Sequence, residues 1–259
     1  MPDRARLRLR EDAMRRLSFV LALIVAVSVL WPTPVVAQTE PDYPHAYPRE
    51  GVTKRFENER VIIWEVVWSH GLPQPLHRHR YDMASVFLRW GQIKVTLADG
   101  TFTEVPDFEI PRVGFARKGV THKEEGIGGI GAPEMHSIMI DLKEYAPPQR
   151  EPPTDVQPAF PRDGATQVLK NEMGTLPEDR VVIWDMQLEE GQGVPLHVHN
   201  TDTVVVFLDG GTIRLTNEDG TVATTTFAYK DVRYWSAGRT HSAVVINGTP
   251  RAILFELQN

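Results

Sequence analysis

The sequence predicts an all-β protein built from two tandem domains, each a jelly roll or small barrel. Three observations predict it. Residues 60–100 lie over residues 180–220 without a gap at an offset of 120, and 18 of those 41 positions are identical. Self-similarity at a fixed period marks a duplicated structural unit. Each copy is written in short runs of Val, Ile, Trp and Phe, punctuated by Gly, Pro and Asp-Gly, which is the composition of strands and turns. After residue 37 no run spaces its apolar residues as an amphipathic helix requires.

Taken in order, residues 1–37 read as a secretory signal peptide. Arg15 and Arg16 follow a possible internal start at Met14, an apolar run spans residues 17–31, and Val35-Val36-Ala37 ends in a small residue. Cleavage near Ala37 is expected, leaving a periplasmic or secreted chain without a stable membrane anchor. The competing reading is an uncleaved anchor. The run is shorter than the roughly 20 residues a span needs, and Pro32 and Pro34 follow it.

Residues 38–50 are polar and Pro-rich and read as an extended arm, with His45 as a surface residue. The first domain is expected over 51–146, a stiff Pro-rich linker over 147–164, and the second domain over 165–259. Within the repeats, residues 60–68 and 180–188 form one pair of strands. Residues 85–88 and 204–208 form a second pair. Residues 92–97 and 212–216 alternate apolar and polar and close on Asp99-Gly100 and Asp219-Gly220.

Without residues 1–37 the chain carries 22 basic and 31 acidic side chains, a net charge of −9. An acidic chain with no basic patch excludes nucleic acid as the natural partner and leaves a small molecule, with a homo-oligomer open. There is no cysteine, so disulfides, thiolate ligands and cysteine nucleophiles are excluded.

Six of the nine histidines recur at equivalent places: His77/His197, His79/His199 and His122/His241. Side chains at i and i+2 of a strand share a face, so each His-x-His presents two imidazoles side by side. A third from a later strand completes a set that a divalent ion accepts at about 2.0–2.2 Å. The alternative is six polar residues in a barrel mouth. Four acids recur as well. Asp82 and Asp202 follow the second histidine by three residues, as turn stabilisers or as catalytic groups that orient an imidazole or act as a base. Glu65 and Asp185 interrupt apolar strands, either paired with arginine or facing the metal as catalytic carboxylates. Phe115 and Tyr234 precede the third histidine by seven residues and read as pocket wall or core. The glycine-rich stretch 125–131, where repeat one is about four residues longer, reads as a loop or a lid over the first site.

The segments Gly71-x5-His77-x-His79…Gly91 and Gly191-x5-His197-x-His199…Gly211 resemble the first cupin motif. Gly119-x-x-His122 and Gly238-x-x-His241 resemble the core of the second. The chain beyond the signal therefore resembles a two-domain cupin, a bicupin. The resemblance implies a double-stranded β-helix per repeat with histidines pointing inward, holding Fe, Mn, Ni or Zn. Many cupins add a glutamate ligand shortly after the second histidine. Here that place holds Ala84 and Val204, or one residue earlier Met83 and Thr203, so a three-histidine site is expected in each repeat. The absence sets oxalate chemistry in doubt and leaves oxygenase-type or related chemistry on a small molecule. The alternative is a non-catalytic cupin that binds a small molecule or metal.

Overall fold

The computed structural model describes residues 42–105, 107–129, 131–144, 155–171 and 174–258. The expected signal peptide and residues 147–154 of the Pro-rich linker lie outside them. All regular structure among the described residues is strand. The first repeat contains β1 (Val52–Glu57), β2 (Val61–Trp68), β3 (His77–Arg78), β4 (Asp82–Arg89), β5 (Ile93–Leu97), β6 (Phe102–Glu104), β7 (Arg112–Ala116), β8 (Thr121–Gly126) and β9 (Met135–Leu142). The second contains β10 (Gln157–Pro158), β11 (Ala165–Gln167), β12 (Lys170–Asn171), β13 (Gly174–Thr175), β14 (Val181–Gln187), β15 (Gly193–Val198), β16 (Thr203–Asn217), β17 (Val222–Phe227), β18 (Val232–Trp235) and β19 (Thr240–Leu257).

The first repeat closes from a five-stranded sheet, β1-β2-β9-β4-β7, and a four-stranded sheet, β3-β8-β5-β6. In the second, β16 and β19 run unbroken through both layers. They pair antiparallel from Thr203↔Glu256 to Asn217↔His241, with register shifts near Asp209 and Gly211. Such bulges bend a strand sharply enough to carry it from one layer of a barrel to the other. The first repeat instead breaks the same path into β4/β5 and β8/β9. The extra residues expected there fall in the β8–β9 connection, where Gly128 O and Pro133 O approach the His70 ring at 3.4 Å. The segment packs on His70, not on the first histidine group.

The alternation within β2 and β14 decides what each face does. Trp64, Val66 and Trp68 point into the first barrel with Tyr47, Met83, Ile93, Met135 and Met139. Trp184, Met186 and Leu188 point into the second with Val205, Phe207 and Leu254. The other faces meet each other. Val61, Ile63, Ala84, Val86, Ile138 and Ile140 share one buried cluster with Val181, Ile183, Val204, Val206, Ile253 and Phe255. The two barrels are thus joined by a sheet-on-sheet core. Strands buried on both faces read as continuous apolar runs, which is what residues 61–68 and 181–186 are apart from Glu65 and Asp185. Phe115 and Tyr234 pack against this shared core, and Tyr234 stacks on Phe56 with ring centroids 5.3 Å apart. They belong to the seam between barrels and not to a pocket wall.

The expected arm and linker also change character. Ala46 and Tyr47 are buried in the first barrel, and Pro44 O accepts a hydrogen bond from Arg78 N at 2.8 Å. The segment 157–160 belongs to the second barrel. β10 pairs parallel to β15, with Gln157 opposite His197, and Ala159 and Phe160 are buried. His45 is no surface residue: its side chain is 8% exposed and its Nε2 lies 3.1 Å from Asp141 Oδ2.

Candidate metal centres

Each barrel holds three imidazoles at the place where two strands run side by side. In the first, His77 on β3 stands opposite His122 on β8, with His79 two residues on. In the second, His197 on β15 stands opposite His241 on β19, with His199 two residues on. One nitrogen from each histidine of a group lies within 4.8 Å of the other two. Ring centroids are 4.8–5.5 Å apart in the first group and 4.4–5.3 Å in the second. His77, His79, His197, His199 and His241 are almost wholly buried, and His122 is partly so.

The surroundings fix which nitrogen is free. His77 Nδ1 lies 3.0 Å from the Pro75 carbonyl oxygen, and His197 Nδ1 lies 2.8 Å from that of Pro195. A carbonyl only accepts, so both Nδ1 atoms carry the proton and both Nε2 atoms carry a lone pair. His199 Nδ1 donates to Thr203 Oγ1 at 3.4 Å, and that hydroxyl donates in turn to Thr201 O at 3.2 Å. Thr203 stands one residue before Val204 in the stretch where many cupins place their acid, and it supports a ligand from there. A carbonyl or hydroxyl behind an imidazole is the ordinary outer support of a metal-binding histidine.

Burial favours the neutral form of five of these rings. It pulls His197 down to about 4, His199 to about 2, His241 to about 3 and His79 to about 3, and lowers His77 as well. His79 Nδ1, His199 Nε2 and His241 Nδ1 are buried with no hydrogen-bond partner. An orphaned buried polar atom is costly. Buried, neutral, convergent imidazoles with unused lone pairs fit a divalent metal ion in each barrel.

The four recurring acids are not part of either group. Asp82 Oδ1 accepts from Lys118 N and Asp202 Oδ1 accepts from Ala237 N, each at 2.9 Å, and the remaining oxygens turn to arginines of the other barrel. They tie turns and the seam, and the catalytic assignment is set aside. Glu65 shares the strand face of Val61 and Ile63, so it points away from the barrel interior. It meets Arg55 at 2.5 Å, Lys230 of the other barrel at 2.8 Å and His136 at 2.9 Å. Burial pushes its carboxyl upward, but the Lys230 and Arg55 hydrogen bonds outweigh that and hold it at about 2. Asp185 has the same parity and is gripped by Arg251 through two bonds, at 3.0 and 2.7 Å. Neither carboxylate faces a metal site.

Two features escape a search for repeats at an offset of 120. Ala46-Tyr-Pro-Arg-Glu-Gly51 and Ala159-Phe-Pro-Arg-Asp-Gly164 match at an offset of 113. Each segment ends on a glycine with φ of 75° or 77°, where a Cβ would stand 2.6 Å from the carbonyl oxygen of Val67 or Gln187. Only glycine fits that conformation and that approach. The segments bring Arg49 and Arg162 to the two histidine groups. The second feature is Glu124, two residues after His122 on β8 and hence on the same face. Its Oε2 accepts from Trp68 Nε1 at 2.8 Å and lies 3.5 Å from Arg49 Nη2, and its Oε1 lies 3.9 Å from His122 Nε2. The equivalent residue of the second barrel is Ala243.

Solved structures with the same architecture support the fold. AerE from Microcystis aeruginosa is 14% identical, with 84% of this chain and 99% of that one covered at a TM-score of 0.57. The oxalate decarboxylase of Lactobacillus farciminis, solved as a formate complex, is 11% identical over 83% and 88% at 0.54. That of Bacillus subtilis, studied for its Mn(II) centres, is 12% identical over 85% and 80% at 0.52. At such identities the likeness shows the fold, two tandem cupin barrels. No protein-family model matches the chain, and no curated protein matches it.

Proposed function

We propose that this protein is a metal-binding bicupin of the periplasm or cell exterior. Each histidine group holds one divalent ion, and at least one ion serves catalysis on a small molecule. The observation that carries the reading is the pair of buried three-imidazole groups whose free nitrogens converge. In the first group His79 Nε2 and His122 Nε2 lie 3.1 Å apart, and in the second His199 Nε2 has no hydrogen-bond partner.

His77, His79 and His122 would hold one ion, and His197, His199 and His241 the other. A divalent ion on three neutral imidazoles keeps its full charge, and would polarise a bound oxygen or bind O2. The protein's part is to keep the buried imidazoles neutral, His77, His79, His197, His199 and His241 among them, to orient His77, His197 and His199 through the Pro75, Pro195 and Thr203 oxygens, and to keep bulk water out. In the second barrel, Phe207, Phe227, Ile213, Leu215 and Leu254 line a cavity of about 40 Å³ beside the imidazoles. That is room for two or three water-sized spheres, so the ligand there is only a few atoms long.

Fe, Mn, Ni and Zn all accept imidazole, and the Mn(II) of the B. subtilis neighbour supports a divalent ion of this kind. Oxygenase-type chemistry is the reaction class favoured for a site without a carboxylate ligand. Metal-loaded protein incubated with a panel of thiols, diketones and phenolics in an oxygen electrode tests it. Oxygen uptake with one member is the expected result. Uptake with none, from protein that does carry metal, removes the oxygenase part and leaves a metal-dependent binding protein.

A further inference from the structure

The two histidine groups differ in one respect that the repeat conceals, namely what faces the arginine. In the first barrel the Arg49 guanidinium, 7% exposed, has a carboxylate in front of it. Glu124 stands between that guanidinium and His122, with Oε2 turned to the arginine and Oε1 to the imidazole. The Glu124 side chain is 14% exposed. Trp68 Nε1 pins it in place.

In the second barrel the same guanidinium is present and the carboxylate is not. Arg162 Nε donates to Ala159 O, and the guanidinium lies over the Phe160 ring, 4.5 Å from its centroid. Arg162 lines the cavity together with His197, His199 and His241. Residue 243 is alanine, so the position equivalent to Glu124 carries no carboxylate. The acid whose field Arg162 feels, Glu256, accepts from Trp184 Nε1 at 2.7 Å instead and makes no ion pair with it. No carboxylate pairs with Arg162 among the described residues. A half-buried guanidinium that no carboxylate pairs with, beside a group of imidazoles, is a place where an anion gains both charge and hydrogen bonds.

We propose that the second barrel binds a small monocarboxylate between Arg162 and the histidine group, and that Glu124 fills the same role internally in the first barrel. The proposal rests on the metal-binding reading above and adds the ligand class to it. The first barrel supplies its own precedent: a carboxylate bridges the arginine and an imidazole there. The cavity limits the ligand to a few atoms, and its apolar walls, Phe207, Phe227 and Leu254, suit a short alkyl end. The first barrel is then closed to such ligands, and the two sites are not interchangeable.

Acetate is the probe. Protein loaded with Co(II) is titrated with acetate, and binding is read from the visible Co(II) spectrum while Co(II) content is measured separately. Wild type should bind one acetate per chain. Arg162→Gln should weaken that binding at least tenfold with Co(II) content unchanged, whereas Arg49→Gln should leave it as it was. Ala243→Glu, which installs the carboxylate of the first barrel, should abolish acetate binding, and Glu124→Ala should add a second acetate site. An acetate midpoint unmoved by both Arg162→Gln and Ala243→Glu overturns the proposal, and if one variant fails to fold the other decides. If no Co(II) binds, the metal reading has failed on its own. Saturation-transfer NMR of the acetate methyl on metal-free protein then decides: transfer that Arg162→Gln removes keeps the anion site, and transfer that it leaves unchanged, or none in wild type, ends it.

Discussion

Arg180 of the second barrel donates through Nε to Asp82 Oδ2 of the first at 2.8 Å, and its repeat mate Arg60 places Nε 4.0 Å from Asp202 Oδ2 of the second. Each arginine of the repeat reaches across to the other copy's aspartate. The same aspartates cap turns inside their own barrels, through Lys118 N and Ala237 N. Recurrence of Asp82/Asp202 and Arg60/Arg180 is therefore explained by one internal two-fold seam.

Arg180→Ala should lower stability by about 1–3 kcal/mol, the range for a partly buried hydrogen bond to a charged group. Urea unfolding checks it. Metal content should not change, because Asp82 hydrogen-bonds turn and seam groups and not the imidazoles. A variant that loses metal while keeping its unfolding midpoint would return Asp82 to the site.

Thr203→Val should weaken metal binding in the second barrel by about 10–100-fold, the usual effect of removing an outer support of a ligand. Thr203 Oγ1 accepts from His199 Nδ1, and valine offers no acceptor. Competition with a chromophoric chelator reads the change, and the first barrel, which has Met83 at this position, serves as the internal control.

The metal-free protein should lose stability as pH falls from about 7 towards 4. In the unfolded chain each imidazole takes up a proton near its ordinary value of about 6.5. In the fold, burial keeps His197 neutral to about 4 and His79, His199 and His241 to lower values. The unfolded state then binds more protons, so stability rises with pH across that window and levels off above it. A urea midpoint flat between pH 7 and 4 would contradict this. From the reference value alone, metal affinity would fall below about pH 6. Burial of the second group moves the expected loss to about pH 4.

The histidine groups were legible because the residues recur at offsets of 120, 120 and 119 and because His-x-His on a strand has one geometric meaning. What the apolar strands pack against was not. Val61 and Ile63 on one face of β2, and Trp64, Val66 and Trp68 on the other, are all buried. The period-2 signal that would have separated seam from barrel interior is therefore absent. The same loss of parity made Glu65 and Asp185 ambiguous. Arg49 and Arg162 were hidden by a seven-residue change of offset between the pre-barrel segments and the histidine motifs. Glu124 was hidden for the opposite reason: it has no counterpart, and a comparison of repeats selects only what is kept twice.

The central claim is that each barrel holds one divalent ion on its own three imidazoles. Metal analysis of protein purified from metal-replete medium tests it most directly, with wild type beside His77→Ala/His79→Ala and His197→Ala/His199→Ala. Two metal equivalents in wild type and one in each double variant are expected. Wild-type protein that is folded yet carries no metal would contradict it.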